Sequence, residues 1–87
     1  MTKPTHILYF AWLREKIGAS DETLAVPDDV CSVGDLMAWL ARRSPGHAAA
    51  FENAACVRCA IDQDFVSVDT SITNAREIAF FPPVTGG

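Results

Sequence analysis

Apolar residues recur along this chain with a period of two at both ends and a period near 3.6 in the middle. Thr5 to Ala11 (THILYFA) is dense in β-branched and aromatic residues and predicts a first strand. Trp12 to Ile17 then carries Leu, Arg, Glu and Lys up to Gly18, the pattern of a short helical turn with a glycine stop. Glu22 to Val26 predicts a second strand, ended by Pro27-Asp28-Asp29 and folding back on the first as a hairpin.

The middle of the chain holds the strongest helix signal. Ser32 stands at an N-cap position, with Asp35 in the first turn. Val33, Leu36, Met37 and Leu40 then form one apolar stripe. Arg42 and Arg43 suit the helix C-terminus, and Pro45-Gly46 is expected to stop it. His47 to Ala55 is Ala-rich and predicts a short extra helix, with His47 exposed or capping. Cys56 to Asp62 and Phe65 to Val68 read as strands flanking a turn at Asp62-Gln63-Asp64. Glu77 to Phe81 is a final strand, ended by Pro82-Pro83 because neither proline can donate to a ladder. The order is β-β-α-β-β-β, an α+β fold in which a mixed sheet packs on one main helix.

Composition narrows the function. Eighty-seven residues allow one domain, expected over residues 1–81 and followed by a flexible tail at 82–87. Seven Lys plus Arg against eleven Asp plus Glu leave a net charge of −4, which disfavours nucleic acid as a partner. A basic protein fits better. The apolar run from Ile7 to Leu13 is too short to span a bilayer, so a soluble, cytoplasmic chain is expected. Three cysteines, Cys31, Cys56 and Cys59, cannot all pair within the chain, which suits a reducing compartment. Cys56 and Cys59 have C-x-x-C spacing, as in a redox pair or half a zinc site. On a strand, however, residues three apart face opposite ways, so Cys59 reads as a small core residue and no metal site is expected.

Groups for catalysis are missing from the pattern. There is no Gly-rich phosphate loop, no G-x-S-x-G, and no His beside a Ser or Cys. The acid pairs Asp21-Glu22, Asp28-Asp29 and Asp62/Asp64 read as solvated turn carboxylates. The chain is not expected to be an enzyme by itself.

The end of the sequence is more informative. After Glu77 it carries no charged side chain and finishes Phe-Phe-Pro-Pro-Val-Thr-Gly-Gly. Six residues from Pro82 can extend about 20 Å. The prolines stiffen the base of this arm, and Gly86-Gly87 would pass through a narrow channel. A thin, neutral arm with one carboxylate can be threaded into another protein's active site. Strand parity adds a docking surface. If Glu77 and His6 mark the outer faces of their strands, then Leu8, Phe10 and Phe81 also point outward. Were the two strands neighbours, these would form an exposed apolar patch beside the arm.

The terminal Phe80-Phe81-Pro82-Pro83-Val84-Thr85-Gly86-Gly87, preceded by Glu77-Ile78-Ala79, resembles the signature of the molybdopterin synthase small-subunit family. Tyr9-Phe10-Ala11, Arg14-Glu15 and Gly18 are similar to that family's opening, Ser32-Val33 with Leu36 to its helix start, and Phe65-Val66-Ser67-Val68-Asp69 to its middle hairpin. Two turns depart from the pattern: Asn74-Ala75-Arg76 stands where an Asp-Gly-Asp-like turn is usual, and Asp62-Gln63-Asp64 where an Asn-Gln is common. The resemblance implies a ubiquitin-like β-grasp fold and a sulfur carrier. An E1-like adenylyltransferase would activate the Gly87 carboxylate with ATP and Mg, and a sulfurtransferase or desulfurase would supply sulfur to make a C-terminal thiocarboxylate (1-thioglycine).

The resemblance further implies that Pro82, Pro83, Val84, Thr85 and Gly86 enter the large subunit of a heterotetramer. Phe81, Phe10 and Leu8 would anchor the partners, and the sulfur would pass to a cyclic pyranopterin monophosphate to build a dithiolene. No cofactor bound by the chain itself is implied. Three alternatives stay open: a carrier serving another acceptor, such as thiamine thiazole, tRNA or a cysteine precursor; a ubiquitin-like binding module or protein modifier, with Gly87 never activated or joined to lysines; and a small thiol redox or zinc protein using Cys56 and Cys59.

Overall fold

The computed structural model describes residues 3–83. The strands are β1 (Lys3–Tyr9), β2 (Asp21–Val26), β3 (Arg58–Ile61), β4 (Asp64–Val66) and β5 (Glu77–Phe81). They form one sheet in the order β2-β1-β5-β3-β4. β1 and β5 run parallel, and every other neighbouring pair is antiparallel. The helices are α1 (Trp12–Ile17), α2 (Val33–Ala41) and α3 (Pro45–Ala50), with a 3-10 turn at Ala54–Cys56.

The apolar stripe of α2 lies against the inner face of the sheet. Val33, Leu36 and Leu40 from α2 are fully buried, as are Ile7 and Tyr9 of β1, Leu13 of α1, and Ile78 and Phe80 of β5. Hydrophobic burial of this one face holds the layers together. α2 begins as its sequence suggests, because Ser32 Oγ accepts a hydrogen bond from the Asp35 N–H at 3.1 Å. α1 ends at Gly18, whose φ of +88° is open to glycine without a Cβ penalty.

Several boundaries differ from expectation, each for a local reason. β1 ends at Tyr9 rather than Ala11, because Ala11 takes φ 54° and ψ −131° and turns the chain into α1. Pro45 does not simply stop α2. It is the first residue of α3, where its missing N–H costs nothing, and Ser44 caps that helix by accepting from the His47 N–H at 3.1 Å. Arg42 caps α2 and Arg43 lies beyond it, its guanidinium 5.3 Å from the centre of the Trp39 ring.

The expected helix over 47–55 is divided into α3 and the 3-10 turn. The expected strand over 56–62 is limited to Arg58–Ile61, and Cys56 is in the turn before it. β4 stops at Val66, and the Val68 carbonyl instead accepts a hydrogen bond from Gly34 N–H at the start of α2. The β3–β4 turn is only two residues, Asp62 and Gln63, both with positive φ (47° and 78°). Asp62 Oδ1 also accepts from the backbone N–H of Glu77 at 3.0 Å, tying this turn to the start of β5.

Candidate docking face

Paired residues across a sheet share a face, so the register sorts the side chains. One row across the outer face reads Asp21 (β2), Leu8 (β1), Ala79 (β5), Ala60 (β3) and Phe65 (β4). The next row toward the end of β5 holds Phe81 paired with Arg58. Phe10 continues β1 beside them, its N–H bonded to the Phe80 carbonyl at 3.1 Å. Leu8, Phe10 and Phe81 therefore stand on one face of adjacent strands. Phe10 is 48% exposed, and Leu8 and Phe81 are half-buried.

Phe65 is the functional candidate that sequence reasoning missed. It is 80% exposed, and its ring centre is 5.6 Å from that of Phe81. In sequence it read as an ordinary strand residue. Its exposure next to Phe81 follows only from β3 lying between β4 and β5. Leu8, Phe10, Phe65 and Phe81, with Ala60 and Ala79 between them and the exposed Arg58 beside Phe81, give this face a largely apolar patch of the kind that marks a partner site.

The opposite end of this face is polar. His6 Nε2 lies 2.7 Å from Asp21 Oδ2, and its Nδ1 lies 3.8 Å from Glu77 Oε2. The hydrogen bond from His6, with a second from Ser20, holds the Asp21 carboxyl below the usual carboxylate range.

The acids and His47 correct the sequence reading. Asp21 and Glu22 are strand residues, not turn residues, and face opposite ways. Glu22 pairs with Ile7 on the inner side, where its Oε2 accepts from Tyr9 Oη at 2.7 Å and lies 2.6 Å from His47 Nε2. His47 is buried rather than exposed, and its Nδ1 lies 2.7 Å from Ser44 Oγ. Burial alone would raise the Glu22 carboxyl, but the bonds from His47 and Tyr9 outweigh it and hold the group low. Burial, then the hydrogen bond to Glu22, pushes the Tyr9 hydroxyl well above its ordinary value.

Cys59 is buried and its thiol is pushed up to about 12 by burial, whereas Cys56 and Cys31 are exposed. The C-x-x-C pair is thus split between core and surface. Among the described residues, no three His, Cys, Asp or Glu side chains are grouped to hold a metal ion. No helix among them is long and apolar enough to cross a membrane. Pro82 and Pro83 follow β5 directly and are half-buried. Val84, Thr85, Gly86 and Gly87 lie outside the described residues.

A five-stranded mixed sheet with parallel β1 and β5 beside each other, packed on one principal helix, defines a ubiquitin-like β-grasp protein. Solved structures of the same shape include a putative molybdopterin converting factor subunit 1 from Pyrococcus furiosus, with TM-score 0.75 and 26% identity, covering 93% of this chain and 98% of that one. Small archaeal modifier protein 1 of Haloferax volcanii shares the fold at TM-score 0.70 and 22% identity, with 93% and 98% covered.

Over residues 7–87 the chain matches the ThiS family, and it belongs to that family. Curated relatives include the molybdopterin synthase sulfur carrier subunit of Escherichia coli, 38% identical over 81 residues, 93% of this chain and 96% of that protein. The subunit of the same name from Haemophilus influenzae is 35% identical over 82 residues, covering 94% and 98%.

Proposed function

We propose that this chain is the sulfur carrier subunit of molybdopterin synthase, with Gly87 as the residue that carries the sulfur. The observation that carries the reading is the run from β5 into the family-matched C-terminus. Phe81, Phe10 and Phe65 make an apolar docking face beside Pro82-Pro83, and the ThiS match continues to Gly87. The relatives named as sulfur carriers are matched over nearly their whole length, which supports the same role here.

The chemistry follows from the poor reactivity of a carboxylate. An oxygen of the Gly87 carboxylate attacks the α-phosphorus of ATP, with Mg, in an E1-like adenylyltransferase, and pyrophosphate leaves. The acyl-adenylate now has a good leaving group. The terminal sulfur of a persulfide on a sulfurtransferase or desulfurase displaces AMP to give an acyl disulfide. A second thiol then reduces its S–S bond, releasing the thiocarboxylate as a disulfide forms between the two thiols. The thiocarboxylate sulfur is a better nucleophile than the oxygen it replaced and attacks a carbon of the cyclic pyranopterin monophosphate, as a carbon–oxygen bond at that carbon breaks and its oxygen departs with the phosphate group or as water. Water then cleaves the acyl–sulfur bond, regenerating the Gly87 carboxylate and leaving sulfur on the pterin. Two such transfers make the dithiolene. The acid, base and substrate-binding groups belong to the large subunit, against which the apolar face docks in a heterotetramer. In this chain Pro82 to Gly86 act as the arm, and Leu8, Phe10, Phe65 and Phe81 as the anchor.

Intact mass tests this directly. After incubation with the activating enzyme, ATP and a sulfur donor, the mass should rise by the replacement of one oxygen by sulfur, located in the C-terminal peptide. Deletion of Gly87, or Gly86→Ala, should leave the fold intact and abolish transfer to the pyranopterin. Normal transfer by either variant would refute the assignment. Sulfur loading without pyranopterin conversion, in the presence of an active large subunit, would point to another acceptor.

A further inference from the structure

The outer face and the core meet at the end of β1. Tyr9 points inward and Phe10 outward, and the next residue, Ala11, has φ 54° and ψ −131°. That backbone region favours glycine, so an alanine stays there only if its surroundings hold it. From inside, Tyr9 is held by a chain of polar groups. Its hydroxyl donates to Glu22 Oε2 at 2.7 Å, His47 Nε2 meets the same oxygen at 2.6 Å, and His47 Nδ1 lies 2.7 Å from Ser44 Oγ. Ser44 is itself fixed as the cap of α3. The Tyr9 ring also stacks on Phe80, with centres 6.5 Å apart and planes within 16°.

We propose that the Tyr9–Glu22–His47–Ser44 chain is a positioning latch for partner docking: it pins the end of β1 from within, so that Phe10 stands at a fixed place on the outer face. Glu22 and Tyr9 are positioning residues that touch neither partner nor substrate. The proposal rests on the docking role given above to Phe10. A latch of this kind raises affinity by removing the ordering cost that a mobile Phe10 would impose on binding.

Tyr9→Phe keeps the ring and its stacking and deletes only the hydroxyl. With a molybdopterin synthase large subunit that binds the wild-type chain, calorimetry at a temperature where both forms are folded should show Kd weakened roughly tenfold, within the usual range of coupling between two sites. Amide hydrogen exchange at Phe10 should quicken in the free variant while that of α2 does not. Glu22→Ala should weaken binding similarly. Glu22→Gln, which keeps an oxygen able to accept from both Tyr9 and His47, should remain within about twofold of wild type.

A purely structural role would lower the melting temperature and leave Kd of the folded chain unchanged, and that result overturns the latch. Should Glu22→Ala fail to fold, Tyr9→Phe alone decides. If no large subunit binds the wild-type chain, the docking reading itself fails. If the wild type binds and Tyr9→Phe binds equally well, the latch fails and the docking reading stands.

Discussion

Gly46→Ala is a severe test of how the helices are packed. Gly46 is the second residue of α3, and a Cβ built there would lie 2.5 Å from the Lys16 carbonyl oxygen and 3.3 Å from Ile17 Cα. Both neighbours are backbone atoms at the end of α1, so no side chain can swing aside. α1 and α3 would have to separate by several tenths of an ångström, disturbing Leu13 and Ala50, which are buried in the core. Overpacking of this kind costs about 1–3 kcal/mol. Alanine returns up to about 1 kcal/mol in helix propensity. Because the contacts are with backbone, the clash falls in the upper part of the overpacking range, about 2–3 kcal/mol. The net loss should be about 1–3 kcal/mol, or a melting temperature roughly 4–24 °C lower for a domain of this size. Circular dichroism on heating, with a urea midpoint as a second measure, gives the value. An unchanged or higher melting temperature would refute the close approach of α1 and α3.

Three further outcomes are expected. Phe65→Ala should weaken large-subunit binding by at least tenfold, as the loss of an interface aromatic does, while the melting temperature changes little because the ring is 80% exposed. A large drop in melting temperature without loss of binding would contradict the assignment of this face. Glu22 has its folded-state pKa held below the unfolded value, so its stabilising contribution is present above the unfolded pKa and is lost as pH falls through the folded one. Urea midpoints should therefore fall less between pH 7 and pH 3.5 for Glu22→Gln than for the wild type, and parallel curves would count against the Tyr9–Glu22–His47 network. Burial and a thiol pKa pushed up to about 12 should keep Cys59 unalkylated by iodoacetamide at pH 8 in the native chain, while exposed Cys31 and Cys56 react. Mass spectrometry before and after denaturation counts the adducts, and three adducts on the native chain would refute the burial of Cys59.

Much of this protein is written in local patterns. α1 ends at a glycine because the position takes a positive φ, α2 starts at Ser32 because its hydroxyl caps the Asp35 N–H, and β5 ends at Phe81 because prolines follow. Each of these depends on residues a few positions apart, and periodicity or turn chemistry is enough to find them. Boundaries set by distant groups cannot be found this way. β4 is short because the Val68 carbonyl bonds to α2, and Pro45 opens a helix because Ser44 and His47 complete its first turn.

Alternation along a strand shows that two faces exist, without saying which one the helices will cover or which strands will lie side by side. The sequence by itself therefore determined the elements, the sulfur-carrier resemblance and the outward parity of Leu8, Phe10 and Phe81. Only the tertiary structure, by setting β5 between β1 and β3, decided that these share one face with Phe65. It also decided that His47, 25 residues from Glu22, is buried against it. The physical reason is the same in both cases: side chains far apart in sequence meet only when burial of the core chooses one strand order, and the chemistry of their contact has no local signature.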